Sequence, residues 1–313
     1  MMTPTIKHLV WSLLLISALG LARAEAQQDD VDEKVTIDTD LVVLRATVSD
    51  TQGRAPAGLK QADFKVYEDG VEQPLSFFSS EESPVSWGLV LDRSGSMTEM
   101  MGDVYQAALH VIDDGTSKDE MFIATFNDRS EVISEFTSDR HRLENSTLGL
   151  RADGETALYD AVALALDQVK RGKYRKKVLV VVTDGEDNSS RLKFSQLIER
   201  AEEEEVLVYA VGMFGQVGMG LMGARSGSAR SELEKLAQVT GGTSHFPDDP
   251  GQCRDVMSAI AREVSQQYSL GYYPANKSHD GKWRSVRVAV GQGQTKYAAR
   301  TRAGYYARSE TKN

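Results

Sequence analysis

Cysteine, histidine and positive charge are all scarce in this chain, and each scarcity removes a class of explanation. The single cysteine, Cys253, cannot close an internal disulfide, so stability outside the cytosol would rest on core packing and bound metal rather than on cross-links. The histidines at 110, 141, 245 and 279 show no His-Glu-x-x-His or other metal spacing, which sets zinc chemistry aside. Lys and Arg total 36 against 46 acidic residues, for a formal net charge of -10. Nucleic acid, whose phosphates demand clustered Lys and Arg, is excluded as a main partner. The one dense basic run, Lys170 to Lys177, precedes an apolar strand pattern and reads as a solvated surface on the far edge of a sheet. Long apolar runs are missing past the first 26 residues, so no membrane span is expected once those are removed.

Those first 26 residues have the form of a secretory leader. Lys7 supplies the positive start, Leu9 to Leu21 form the apolar stretch, and Ala22-Arg23-Ala24 or Ala24-Glu25-Ala26 offers the small-residue cleavage site. An exported protein, periplasmic or extracellular, is the expectation. Residues 27–34 are polar and acidic and read as a disordered spacer.

With 313 residues, 41% of them hydrophobic, the chain has material for a full core and about two domains. From residue 35 to 84 the pattern has period two: Val42, Leu44, Ala46 and Val48 share one strand face, and Asp69-Gly70 marks a hairpin turn. From residue 85 to 267 strands alternate with helices. Val104, Ala107, Ala108, Val111 and Ile112 have helical spacing, as do Leu158, Ala161, Val162, Ala165 and Val169. Met121–Phe126, Val178–Val182 and Val206–Val211 are apolar strands, Val132–Phe136 an edge strand, and Phe194–Glu204, Glu232–Val239 and Cys253–Gln267 helices. This grammar predicts an α/β fold with a doubly wound, mainly parallel sheet. Residues 268–307 return to β, with Val286, Val288 and Val290 alternating before a Gly291-Gln292-Gly293 turn, and 308–313 form a tail. Each β segment is half the size of a core, so the two are expected to pair into one β-sandwich with the α/β domain inserted between them.

Chemistry concentrates at Trp87-Gly88-Leu89-Val90-Leu91-Asp92-Arg93-Ser94-Gly95-Ser96. A buried strand ends at a carboxylate, and two hydroxyls follow at steps of two. Open α/β sheets place their sites just past the carboxyl ends of such strands. Two further loops reach the same edge: Thr156 at a helix entry after Gly154, and Asp184 at the end of Val178–Val182. Asp92, Ser94, Ser96, Thr156 and Asp184 together offer three hydroxyls and two carboxylates. These are hard oxygen donors of the kind Mg²⁺ prefers, with Mn²⁺ and Ca²⁺ as relatives, and two negative charges balance a divalent ion.

Asp-x-Ser-x-Ser, a threonine at a helix start and a strand ending Thr-Asp-Gly, in that order, resemble the von Willebrand factor type A domain with a metal-ion-dependent adhesion site. The flanking Phe64–Gly70, Tyr268–Pro274 and Arg302–Tyr306 stretches resemble secreted bacterial proteins that carry this domain. The resemblance implies that Asp92, Ser94, Ser96 and Thr156 hold the metal directly or through water, that Asp184 acts largely through water, and that an acidic side chain of a protein partner completes the coordination. Glu155 departs from the pattern, standing where similar sequences often carry glycine; an added carboxylate there could tighten the cation or repel an acidic partner.

Two alternatives stand beside an adhesion or assembly module: a metal-dependent hydrolase or phosphoryl-transfer enzyme, and a metal-free assembly scaffold. The enzyme needs a placed general acid or base, which the three loops do not evidently supply, so binding rather than catalysis is the reading. The Gly- and Met-rich stretch Met213 to Arg225, with Met213, Phe214, Met219, Leu221 and Met222, is read either as a partner-binding loop beside the metal or as an insertion folded onto its own domain.

Overall fold

A computed structural model describes residues 41–309 except 53, 57, 81, 82, 116, 117, 215–220, 293 and 294. The leader and spacer expected over residues 1–34 lie outside the described residues. In chain order the strands are β1 (Val42–Ser49), β2 (Phe64–Glu68), β3 (Val71–Gln73), β4 (Leu75–Ser79) and β5 (Val85–Asp92), followed by helix α1 (Met101–Asp114). Then come β6 (Glu120–Phe126), β7 (Ser130–Thr137), α2 (Arg140–Thr147), α3 (Leu158–Val169), β8 (Lys176–Thr183), α4 (Phe194–Glu203), β9 (Leu207–Gly212) and α5 (Leu221–Thr240). The chain closes with β10 (Ser244–His245), α6 (Cys253–Ser265), β11 (Tyr268–Tyr272), β12 (Trp283–Gln292), β13 (Thr295–Arg300) and β14 (Gly304–Tyr306).

The α/β half is built on β5, every residue of which is buried. The six-stranded sheet runs β10-β9-β8-β5-β6-β7 and is parallel except for β7, which pairs antiparallel at the edge. Its strands can be near-continuously apolar because helices cover both faces. Val104 and Ile112 of α1, Leu143 of α2 and Met257 of α6 pack on one face, over Leu89, Leu91 and Val180. Leu158 and Val162 of α3, Leu197 of α4 and Leu233 of α5 pack on the other, over Val90, Phe122 and Val181. The chain therefore leaves β5 toward one face and leaves the neighbouring β8 toward the opposite face. The loops diverge and open a crevice between the carboxyl ends of these two strands, the usual position of a ligand in such sheets.

The two flanking β segments do pair, but as one sheet rather than two facing ones. Its path is β3-β2-β12-β13-β1-β11-β4, with β14 joined to β12. β3 and β4 lie at opposite ends of that path although only Pro74 separates them in the chain. One intervening residue spans about 7 Å, so the sheet must curl until its ends almost meet. Leu44 faces Leu270 across β1–β11 and Val66 faces Val288 across β2–β12. These inward positions, with Tyr272 and Phe64, fill the interior.

The curled sheet docks at the amino-terminal end of the parallel sheet. Ala303 N–H donates to Val239 O at 3.3 Å, and Arg300 Nε to Gly241 O at 3.1 Å. Glu263 of α6 collects the seam: it accepts from Tyr209 Oη at 2.6 Å and from the Arg300 guanidinium, and Thr47 Oγ1 and Thr243 Oγ1 approach it at 3.5 Å. The basic run is solvated surface at Lys170, Arg171, Lys173 and Arg175, all exposed, and departs from it only at its end. Lys176 is buried, with its ammonium donating to Val264 O, and Lys177 Nζ donates to Gly172 O at 2.7 Å and Tyr174 O at 3.0 Å. Strand β8 draws these stems inward and the chain's own carbonyls satisfy the charges. Among the described residues no helix is long and apolar enough to cross a membrane.

Candidate metal centre

Asp92 ends β5 with no exposed surface, in parallel register between β8 and β6. Its carboxylate is oriented by neutral donors: Ser94 N–H to Oδ1 at 2.8 Å and Thr183 Oγ1 to Oδ2 at 2.6 Å. Thr183 is itself pinned, since its hydroxyl oxygen accepts Gly185 N–H at 2.9 Å. Beyond Asp92 the chain turns at once into a short helical turn over Gly95–Met97, and Met97 anchors it in the core. That turn brings Ser94 Oγ and Ser96 Oγ to 3.0 Å from one another. Ser94 and Thr156 are buried, Asp184 is half-buried and Ser96 is exposed. The set thus grades from a buried floor at Asp92 to an open mouth at Ser96.

The second loop is fastened to the first by backbone, and the third is fastened to the second. Gly95 N–H donates to Gly154 O at 3.0 Å, and Asp153 N–H to Arg93 O at 2.9 Å. The Arg93 guanidinium pairs with Asp153 at 2.5 Å, and Asn127 Nδ2 donates to the same carboxylate at 2.8 Å. Thr156 is held from the third loop: its N–H donates to Asn188 Oδ1 at 2.8 Å, while Asn188 N–H and Ser189 N–H both donate to its carbonyl at 3.0 Å. Gly154 sits at φ +76, and a Cβ there would lie 2.8 Å from Asp128 Oδ1. The crossing of loops therefore requires glycine both for its left-handed backbone and for the close approach. Asp187 and Ser190 extend the same tie to α3, Asp187 Oδ1 accepting from Tyr159 N–H at 3.2 Å and from Ser190 Oγ at 2.6 Å.

Asp92, Ser94, Ser96, Thr156 and Asp184 are thus carried on loops that meet at one edge. Sequence reasoning missed the braces: Thr183, Asn127, Asn188 and the Arg93–Asp153 pair. Thr183 had a visible signal, since it immediately precedes Asp184 at the strand end. The bracing role of Asn127 and Asn188 depends on loop crossings that no local pattern encodes.

Burial pushes the Asp92 carboxyl up to about 6; the hydrogen bonds from Ser94 and Thr183 work against that rise, and the nearby Asp184 charge adds to it. A buried carboxylate whose donors are all neutral is the form a positive charge stabilises most. Hard oxygens on adjacent loops supply the coordination a Mg²⁺-like ion requires, with further positions left to water or an outside ligand. The residues present fit such an ion. Among the described residues no group of three or more His, Cys, Asp or Glu is placed so as to hold a metal ion.

The stretch read as a partner loop is placed differently. Met213 is 3% exposed and belongs to the core, its N–H donating to Thr183 O at 2.8 Å. Phe214 is half-buried, with its ring 5.5 Å from that of Phe246. Leu221 and Met222 open helix α5, which starts eleven residues ahead of the expected Glu232. Met219 lies outside the described residues. Two of these side chains therefore pack onto their own domain: the strand continues straight into the core at Met213, and Phe214 meets an aromatic neighbour.

Known proteins agree with this architecture. The family model of the von Willebrand factor type A domain matches residues 88–186, which span β5 to the third site loop. Calcium-activated chloride channel regulator 1 of Macaca mulatta is 27% identical over 181 residues, covering 55% of this chain; the chain spans 18% of the length of that relative. The solved von Willebrand factor type A protein from Catenulispora acidiphila superposes with a TM-score of 0.51 at 12% identity, covering 87% of this chain and 74% of that one. BatB from Bacteroides thetaiotaomicron gives a TM-score of 0.48 at 16% identity, over 57% of this chain and 98% of that one. The matched segment lies within the α/β half, and that half has the fold of the von Willebrand factor type A domain.

Proposed function

We propose that this protein is an exported binding module, for adhesion or assembly, that recognises an acidic group of a protein partner through a divalent cation held by Asp92, Ser94, Ser96, Thr156 and Asp184. One observation carries the reading: the Asp92 carboxylate is fully buried, oriented by neutral donors, and placed beneath paired serine hydroxyls at the crevice between β5 and β8. Mg²⁺, with Mn²⁺ or Ca²⁺ as substitutes, would supply a charge-dense contact whose remaining coordination a partner carboxylate satisfies. The surrounding loops would supply selectivity. Export is supported by the leader-like character of residues 1–26. Binding is favoured over hydrolysis because, with Asp92 and Asp184 assigned to the cation, the three loops carry no histidine or lysine to serve as a general acid or base near neutral pH.

The test is thermal unfolding in chelator and then in millimolar Mg²⁺, Mn²⁺ or Ca²⁺, with Asp92→Ala run beside the wild type. A ligand that binds only the folded state stabilises it by about 2.7 kcal/mol at a hundred times its dissociation constant. A cation-dependent rise in the wild type alone supports the reading. No rise in the wild type, or an equal rise in both proteins, overturns it.

A further inference from the structure

The seam between the curled sheet and the α/β half gathers more positive charge than the acid beside it balances. On β1 the outer row is Val43, Arg45 and Thr47, alternating with the inward Val42, Leu44 and Ala46. Thr47 Oγ1 approaches Glu263 at 3.5 Å, and Arg302 Nη2 approaches Val43 O at 3.5 Å, so both ends of that row are anchored and Arg45 stands between them. The Arg45 guanidinium donates to Ser269 Oγ, directly across on β11. From the other half come Arg175, one residue before β8, and Glu205, two residues before β9. β8 and β9 pair in parallel with Val178 opposite Leu207, which puts Arg175 and Glu205 at the same amino-terminal end of the sheet.

Two carboxylates at the seam are used differently. Glu263 holds Arg300 directly. Glu205 is 70% exposed and stands 3.7 Å from Arg302 Nη2, beyond hydrogen-bond length. The Arg302 side chain is only 12% exposed, and its Nε is buried with no hydrogen-bond partner among the described residues. Among the described residues neither Arg45 nor Arg175 has a carboxylate at ion-pair distance. Burial holds Arg45 and Arg302 below the usual arginine pKa; the Glu205 charge works against that fall in both, and the Arg175 charge deepens it in Arg45. Three guanidinium charges thus face one carboxylate, and the excess of two positive charges is partly withdrawn from water.

Charge and donor geometry identify the ligand. A guanidinium fork engages two oxygens of a tetrahedral oxyanion at once, and a dianion matches the excess charge. We propose that Arg45, Arg175 and Arg302 form a binding site for a divalent tetrahedral oxyanion, free sulfate or phosphate, which displaces the exposed Glu205 carboxylate. Arg45 and Arg302 belong to the curled-sheet segments and Arg175 to the α/β half, so the bound anion ties the two halves together. The site lies at the opposite end of the parallel sheet from Asp92 and requires no cation there.

The experiment titrates the full chain by calorimetry, in chelator and at constant ionic strength, with sodium sulfate, sodium phosphate and sodium acetate. Sulfate and phosphate are expected to bind saturably and about tenfold or more tightly than acetate. Arg45→Gln and Arg175→Gln are each expected to weaken sulfate by about tenfold or more, and Glu205→Gln to tighten it several-fold. Unfolding midpoints are recorded beside the titrations, because sulfate also stabilises folded proteins by exclusion from their surfaces. That effect grows without saturating and is equal in the wild type and every variant, whereas occupation of the site saturates. Arg175 is exposed, so its variant keeps the fold and decides the outcome even where Arg45→Gln does not fold. No saturable binding, acetate binding as tightly as sulfate, or sulfate affinity unchanged in Arg175→Gln overturns the site. An unchanged affinity in Glu205→Gln overturns the displacement of that carboxylate.

Discussion

Asp92 and Glu263 pose the same physical problem at two ends of this molecule and are treated in opposite ways. Each is a carboxylate drawn into the protein, where its charge loses hydration. At the seam, Glu263 receives the Arg300 guanidinium from the curled sheet and the Tyr209 hydroxyl from β9. At the open edge, Asp92 receives a backbone N–H and a threonine hydroxyl. The chain satisfies the first acid from within; at the second it provides orientation with neutral donors. A fold can carry that second arrangement in its central strand because the rest of the core is ample: β5 is buried along its whole length, between helices on both faces. The contrast separates a carboxylate whose partners close the fold from one that the described residues orient with neutral donors.

The largest expected effect breaks the seam. Glu263→Ala removes the acceptor of the buried Tyr209 hydroxyl and the carboxylate partner of the half-buried Arg300 guanidinium, and a loss of about 2–3 kcal/mol is expected in chemical denaturation. The cation response of the unfolding midpoint should survive in that variant, since the metal loops lie at the other end of the sheet. Asp92→Ala should do the reverse, with little loss of stability in chelator and no gain of the cation-dependent part, which in the wild type reaches about 2.7 kcal/mol at a hundredfold excess over the dissociation constant.

Acidity sharpens the comparison further. Burial raises Asp92 from the usual 3.8 to about 6, with Asp184 as the neighbouring like charge. In that window the folded protein binds more protons than the unfolded one, so stability in chelator is fully present below about pH 4 and falls as pH rises through about 6. The total loss is on the order of 2–3 kcal/mol. Urea titrations across this range should show the fall in the wild type and a flat profile over the same window in Asp92→Asn. An unchanged slope in Asp92→Asn would assign the dependence to another group.

A smaller effect is expected at the loop crossing. Gly154→Ala places a Cβ 2.8 Å from Asp128 Oδ1 at φ +76 and should cost about 1–2 kcal/mol. It should also weaken the cation-dependent midpoint shift, because the strain falls where the first and second loops meet. The smallest is Arg93→Ala, which removes a partly exposed ion pair with Asp153. Stability should change by less than about 1 kcal/mol, with any weakening confined to cation affinity measured by titration calorimetry.

Much of the α/β half was legible before any coordinates. The aliphatic runs at β5 and β8 and the helical spacing of α1 and α3 are local patterns, and the strand ends mark where side chains leave the core. Other features escaped for identifiable reasons. Helix α2 is polar almost throughout, with Leu143 and Thr147 as its buried residues, so its periodicity is faint. Helix α5 reaches back to Leu221 through a glycine- and serine-rich stretch whose composition argues against a helix. Lys176 lies in a run that reads as surface, yet the strand beneath it carries it inside.

What the sequence alone determined is therefore what neighbouring residues can settle among themselves: the period of each element, the turn chemistry at Asp69-Gly70, and the oxygen-bearing residues just past two strand ends. The pairings across distance belonged to the tertiary structure. Thr183 reaches Asp92 because Leu91 registers with Val182. Asn188 grips Thr156 across a loop crossing. The curled sheet closes because β3 and β4 are one residue apart in the chain and at opposite ends of the sheet. Leu148 turns outward rather than into the core because α2 ends at Thr147 and Gly149 follows with a left-handed backbone. Local patterns restrict each backbone segment to a few conformations, whereas register and loop crossing are chosen only when whole faces are buried together, and that choice is made by the assembled core.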